Sequence, residues 1–163
     1  MENSINYRKI EQKDNVKVAK LIRGILLEHE LNQPGTVYFD PTTDALFELF
    51  QAENSCYFIA ENSTEIIGAC GIFPTEGLPE NHIELVKFYV HADFRGKSIG
   101  KKLMELSLEE AKKLGFKKVY LESLPELKKA VGMYESFGFK HIPERLGNSG
   151  HFACNILMLK TLD

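Results

Sequence analysis

Ile83-Glu84-Leu85-Val86-Lys87-Phe88-Tyr89-Val90, the loop His91 to Ser98 and the run Ile99 to Leu114 form one continuous stretch whose reading decides the fold. The first part is rich in β-branched and aromatic residues and is interrupted only by Glu84 and Lys87, which suits a central, mostly buried strand. The last part predicts an amphipathic helix. Ile99, Leu103, Met104, Leu106, Leu108, Ala111 and Leu114 cover a broad arc of the helical wheel, while Lys101, Lys102, Glu105, Glu109, Lys112 and Lys113 share a narrower one. An apolar stripe of that width packs against a sheet, and Gly115 ends the helix.

Between strand and helix stands Arg95-Gly96-Lys97-Ser98-Ile99-Gly100. Its glycines let the backbone turn sharply and bring N–H groups close to a ligand. The amides lie at a helix start, where the peptide dipoles amount to roughly half a positive charge. Arg95, Lys97, Lys101 and Lys102 crowd the same few residues, so anions are favoured locally and a polyphosphate-bearing cofactor is the expected guest. Gly96-Lys97-Ser98 also spells the end of a P-loop, but that motif requires a glycine five residues before Gly96, where His91 stands. ATP binding is therefore not expected.

Composition bounds the rest. A chain of 163 residues can bury a substantial core as one domain, 1–163. Lysine and arginine total 20 against 23 acidic residues, a net charge of −3 that gives no overall basic character for nucleic acid. The polar start Met1-Glu2-Asn3-Ser4 predicts no signal peptide, and no apolar run approaches membrane-spanning length. A cytoplasmic protein is expected. Cys56, Cys70 and Cys154 sit singly in apolar runs and read as reduced core thiols. With five scattered histidines and no paired Cys or His spacing, no metal site is expected.

In chain order, Ile5 to Ile10 predicts a strand, and Asp14 or Asn15 caps a helix running to about Glu30 on the apolar face Val18, Ala19, Ile22, Ile25 and Leu26. A turn at Asn32 to Gly35 and an irregular Thr36 to Asp40 lead to Pro41-Thr42-Thr43-Asp44, which opens a short helix through Phe50. Cys56 to Ala60 and Ile66 to Phe73 predict a hairpin. After the long helix come a strand at Lys118 to Glu122 and a helix with Leu127, Ala130, Val131, Tyr134 and Phe137 on one face. A last antiparallel pair is expected from Phe139 to Ile142 and Phe152 to Leu159. The order β-α-α-β-β-β-α-β-α-β-β predicts a mixed α/β sheet with helices on both faces. An exposed edge at the C-terminal strand offers a surface for a homodimer.

The strand Ile83 to Val90, the loop Arg95 to Gly100 and the later Tyr134-Glu135-Ser136-Phe137-Gly138-Phe139 together resemble the GNAT superfamily of acetyl-CoA-dependent N-acetyltransferases, over nearly the whole chain. The resemblance implies a mostly antiparallel central sheet, acetyl-CoA as co-substrate and transfer to a primary amine. It further implies that the main chain of Phe88 and Val90 pairs with the pantetheine amides. The amides of Arg95, Gly96, Lys97, Ser98, Ile99, Gly100 and Lys101 then hold the pyrophosphate, with charge from Arg95 and Lys97. Two positions depart from the family pattern. Ser98 replaces the first motif glycine, and Leu127 stands where members often carry an asparagine seven residues before the tyrosine.

Acetyl transfer raises two proton problems. An amine with a pKa near 10.4 is free base only about once in a few thousand molecules at pH 7, so a base must take its proton. Glu84 stands where some members place that base, and an apolar strand raises a carboxyl pKa. A second reading has Glu84 bind a cationic acceptor or pair with Lys87. The departing thiolate needs a proton, and Tyr134 resembles the family's general acid. With a cysteine-like thiol, that transfer is uphill by only about 2 kcal/mol. The bland alternative is a core tyrosine bonded to backbone. The acceptor pocket is expected between the Asn32 to Asp40 loop, the far end of the central strand and the Leu146 to His151 hairpin, with Tyr38, Asp40 and His151 as its polar probes. A small-molecule amine is the expected acceptor. The alternatives are a protein or peptide acceptor and a non-catalytic acyl-CoA-binding module.

Overall fold

A computed structural model describes residues 4–163. Its strands are β1 (Asn6–Lys9), β2 (Cys56–Glu61), β3 (Ile66–Phe73), β4 (His82–Val90), β5 (Lys118–Ser123), β6 (Lys140–His141) and β7 (Ile156–Thr161). The helices are α1 (Asn15–Glu28), α2 (Leu46–Leu49), α3 (Ile99–Lys113) and α4 (Lys128–Ser136), so the element order is the one expected. The strands form one sheet in the order β1-β2-β3-β4-β5-β7-β6. Its pairings are antiparallel except between β4 and β5, whose parallel register requires a crossover, here α3.

Each face of the sheet has its own core. On one, Leu103, Met104 and Ala111 of α3 and Tyr134 of α4 pack over Ile83, Leu85, Val119 and Leu121. On the other, Val18, Ile22 and Leu26 of α1 pack over Tyr57, Ile59 and Tyr89. Leu114, placed on the apolar face by the helical wheel, follows the last helical residue and is 39% exposed. The three cysteines are free and buried.

Local chemistry differs from expectation in three places. Asp14 does not cap α1 with its side chain, because its carboxylate accepts from both terminal nitrogens of Arg8 at 2.7 and 2.9 Å and from the Glu11 amide at 2.8 Å. The last strand begins at Ile156 rather than Phe152, whose ring lies exposed over Gly35. The C-terminal strand is also not the sheet's edge, for β7 is inserted between β5 and the two-residue β6. The edge that β6 presents carries Lys140 and His141, side chains that discourage further pairing.

Two features of β4 build the site. Ala69 pairs with Tyr89 but Gly71 pairs with Val86, so Cys70 alone faces Lys87 and Phe88 in a β-bulge. Lys87 takes φ +51° there. On its other side β4 pairs with β5 only from His82 to Glu84. Beyond that point the two strands part, and the sheet opens into a cleft.

Candidate active site

The wider part of the cleft is a groove of about 630 Å³ between Phe88–Val90, the loop ahead of α3, the start of α4 and the last turn of α1. The first helical bond of α3 runs from the Lys102 amide to the Ser98 carbonyl at 3.1 Å, which leaves the amides of Ile99, Gly100 and Lys101 without a partner inside the helix. Gly96 and Ser98 turn the loop with φ +78° and +63°. A Cβ on Gly100 would stand 2.9 Å from Cζ of Phe88, so the glycine admits that ring to the groove wall.

The expected charges are arranged differently than anticipated. Arg95 sends its terminal nitrogens to Glu28 of α1 at 2.7 and 3.2 Å and its Nε to the Val90 carbonyl at 3.0 Å. Lys97 lies over the Phe94 ring at 5.4 Å. Lys101 lines the groove as expected, together with Lys128 and Lys129 of α4. Those two lysines were missed, because only the fold brings the start of α4 opposite the loop. Leu127 lies between them and the strand, at the seam of the groove and a second, smaller cavity.

That second cavity, about 50 Å³, shares Phe88, Tyr89 and Leu127 with the groove and continues to Glu84, Glu122, Tyr134 and His151. Glu84, at the point where β4 and β5 separate, is only 4% exposed. Burial pushes its carboxyl up to about 7, although a hydrogen bond from the Thr75 hydroxyl pulls the other way. No oxygen of Glu84 comes within 4.0 Å of the Lys87 ammonium, so the two are not an ion pair.

Tyr134 of α4 packs edge-on against Phe88 and Phe139, with ring centroids 5.8 and 6.0 Å away. Burial raises its phenol pKa well above the usual value and so keeps it protonated. Asp40 and His151 meet at 2.7 Å across 111 positions of sequence. Tyr38 is not among the cavity's lining residues and packs instead against Phe39 and under Arg23. Glu122 was missed. Its carboxylate holds Arg145 at 2.7 Å and accepts from Tyr120 and Ser149, contacts set by pairing between distant segments.

A groove ending in amides without partners inside the helix and in lysines, joined to a cavity holding a buried carboxyl and a tyrosine, suits transfer from an anionic carrier to an acceptor. The acetyltransferase (GNAT) family profile matches residues 25–139. The chain belongs to the GNAT family. An uncharacterized N-acetyltransferase of Escherichia coli, YjgM, is 36% identical over 95% of this chain and 93% of its own length. Human N-acetyltransferase 8 is 28% identical over 66% of this chain, which spans only 51% of that protein. The fold is shared with a GNAT acetyltransferase from Staphylococcus aureus at a TM-score of 0.84 and 21% identity, covering 98% of this chain and 100% of that one. It is also shared with the PaiA N-acetyltransferase of Thermoplasma acidophilum, solved with coenzyme A, at 0.75 and 18%, covering 98% and 99%.

This GNAT protein is an acetyl-CoA-dependent N-acetyltransferase, and acetyl-CoA is its co-substrate. The groove has cationic and N–H-rich surface at the α3 end and apolar walls from Phe88, Met133 and Ala130. Among the described residues no helix is long and apolar enough to cross a membrane, and no group of three or more potential metal ligands exists.

Proposed function

We propose that this enzyme transfers acetyl directly from acetyl-CoA to the primary amine of a small molecule, with Glu84 as base and Tyr134 as acid. The amine nitrogen attacks the thioester carbonyl and the N–C bond forms. The amine's proton passes to Glu84, directly or through a water. The C–S bond then breaks, and the sulfur takes a hydrogen bond or proton from Tyr134.

The observation that carries this reading is a carboxyl held near neutrality, with a pKa of about 7, on the wall of the cavity that Tyr134 also lines. A base so tuned is half ionised at working pH and still accepts a proton. The cavity's small volume suits the amine-bearing end of an acceptor. Pyrophosphate binding falls to the amides of Ile99, Gly100 and Lys101 and to Lys101, Lys128 and Lys129. Phe88 and Val90 present the strand edge to pantetheine, although Arg95 already occupies one lone pair of the Val90 carbonyl.

Burial makes Tyr134 a weaker acid than a free phenol, so its contribution is better described as a hydrogen bond to the thiolate than as complete proton transfer. The same desolvation disfavours the thiolate, which keeps the two groups matched. Replacing Tyr134 with Phe is expected to lower kcat by about a hundredfold while leaving the acetyl-CoA Kd, read by calorimetric titration, unchanged. An unaltered kcat would remove Tyr134 from the chemistry.

A further inference from the structure

Lys87 is a charged residue in a place that makes charge expensive. It sits in the bulge of β4 at φ +51°, a conformation that side chains with a Cβ seldom adopt. Its carbonyl is fastened there by the Tyr57 hydroxyl at 2.7 Å. The side chain is only 4% exposed, and Nζ has no hydrogen-bond partner among the described residues. Asp40 Oδ2, at 3.9 Å, lies beyond hydrogen-bonding reach.

The carboxylates around it are already engaged. Asp40 accepts from His151 at 2.7 Å and from the amide and hydroxyl of Thr42 at 2.9 and 2.6 Å. Glu122 holds Arg145, Tyr120 and Ser149, and Glu84 takes the Thr75 hydroxyl. Each acid near the cavity has its hydrogen-bond partners, whereas among the described residues the Lys87 ammonium has no hydrogen bond and only the Asp40 carboxylate at 3.9 Å as a charge partner. A buried ammonium with no hydrogen bond and a single carboxylate at 3.9 Å is costly to keep unless a ligand completes it.

We infer that the acceptor carries a carboxylate beside its reactive amine and that Lys87 binds that carboxylate, which makes the acceptor an amino acid or a close analogue. This rests on the direct-transfer reading, in which Glu84 faces the amine. Lys87 and Glu84 line the same cavity without touching, so one zwitterionic head group answers both: oxygen lone pairs to the ammonium, amine to the carboxyl. At about 50 Å³ the cavity holds the head group alone, and the remainder of the acceptor lies outside it. An amine lacking the carboxylate would leave Lys87 unanswered and add a like charge beside it. A site that hydrogen-bonds a polar substrate group rejects analogues without that group strongly.

The test titrates the CoA-loaded enzyme with the N-acetyl forms of the common L-amino acids and with the matching N-acetyl amides. In parallel, the free amino acids, their amides and their decarboxylated amines serve as acetyl acceptors. At least one acid is expected to bind about tenfold or more tightly than its amide. Lys87→Met is expected to abolish that difference without changing the acetyl-CoA Kd. Amides binding as tightly as acids throughout, or a preference that survives Lys87→Met, would overturn the inference. Should the variant fail to fold, the acid-to-amide comparison on the unaltered enzyme still decides. Lys87-dependent acid binding without acetyl transfer would support the carboxylate site and count against the direct-transfer reading. Equal acetylation of acids and decarboxylated amines would do the reverse.

Discussion

Ser98 occupies the left-handed region, at φ +63°, where the family loop has glycine, and its hydroxyl makes no capping bond to α3. A residue with a Cβ held there costs on the order of 1 kcal/mol, partly offset because glycine gains more freedom in the unfolded chain. Serine at such a cost is intelligible if its hydroxyl serves the bound cofactor. Ser98→Gly is therefore expected to raise Tm by about 2 °C, corresponding to roughly 0.5 to 1 kcal/mol, and to weaken acetyl-CoA binding severalfold. Thermal unfolding and calorimetric titration read the two effects separately. A variant with both higher Tm and unchanged affinity would leave the hydroxyl without a role. Gly100 is constrained for a different reason: added atoms would push on Phe88, whose ring packs on Tyr134, so the loop and Tyr134 are mechanically joined.

The ion pair between Arg95 and Glu28 is a link between elements, tying the last turn of α1 to the loop that opens α3. Arg95 lowers the Glu28 pKa, so the carboxylate stays ionised at neutral pH on the wall of the groove proposed to take the polyphosphate. Both side chains are partly exposed, and such a pair contributes well under about 1 kcal/mol to stability. Its electrostatic effect on the cofactor is then the larger consequence. Glu28→Gln removes a negative charge from the groove and frees the Arg95 fork. Acetyl-CoA affinity is expected to rise by about threefold at low salt and to converge with the parent enzyme near 1 M salt, where screening lengths fall to about 3 Å. Titration at the two salt concentrations tests this, and a loss of affinity would show instead that the pair is needed to hold the loop in shape.

At the scale of the whole molecule, what the sequence made legible was local and periodic. The apolar run Ile83 to Val90, the broad stripe of α3 and the glycines of the loop each carry their meaning within about one element, and they led to the sheet, the helices and the loop that lines the groove. The smaller cavity was only partly legible, because it is made by pairing at a distance. The bulge that turns Lys87 inward depends on how residues 69–71 meet residues 86–89, the cleft depends on β5 leaving β4 after Tyr120, and Asp40 meets His151 from the opposite end of the chain. Glu84 was legible as a buried carboxyl, and on the proposed reading of Glu84 as the base its burial sets stability against function. Its folded pKa of about 7 lies above the value of about 4.5 for the free group. Below about pH 4.5 both states are protonated and burial exacts no electrostatic cost. As pH rises from there to about 7 the unfolded chain ionises while the folded one resists, and stability falls by roughly 3 kcal/mol before levelling off. Glu84→Gln lacks this term, so its Tm advantage over the parent should be negligible at pH 4, grow to pH 7 and stay constant above. Activity should move oppositely. The parent's kcat/KM should rise through pH 7 as Glu84 ionises, whereas the variant loses most at neutral pH and recovers as the amine deprotonates itself toward pH 10. Parallel pH series of thermal unfolding and initial rates make the comparison. A variant no more stable than the parent at pH 8 would mean that water or a neighbouring charge relieves the burial of Glu84, and a base with an ordinary pKa would then have to be sought for the amine.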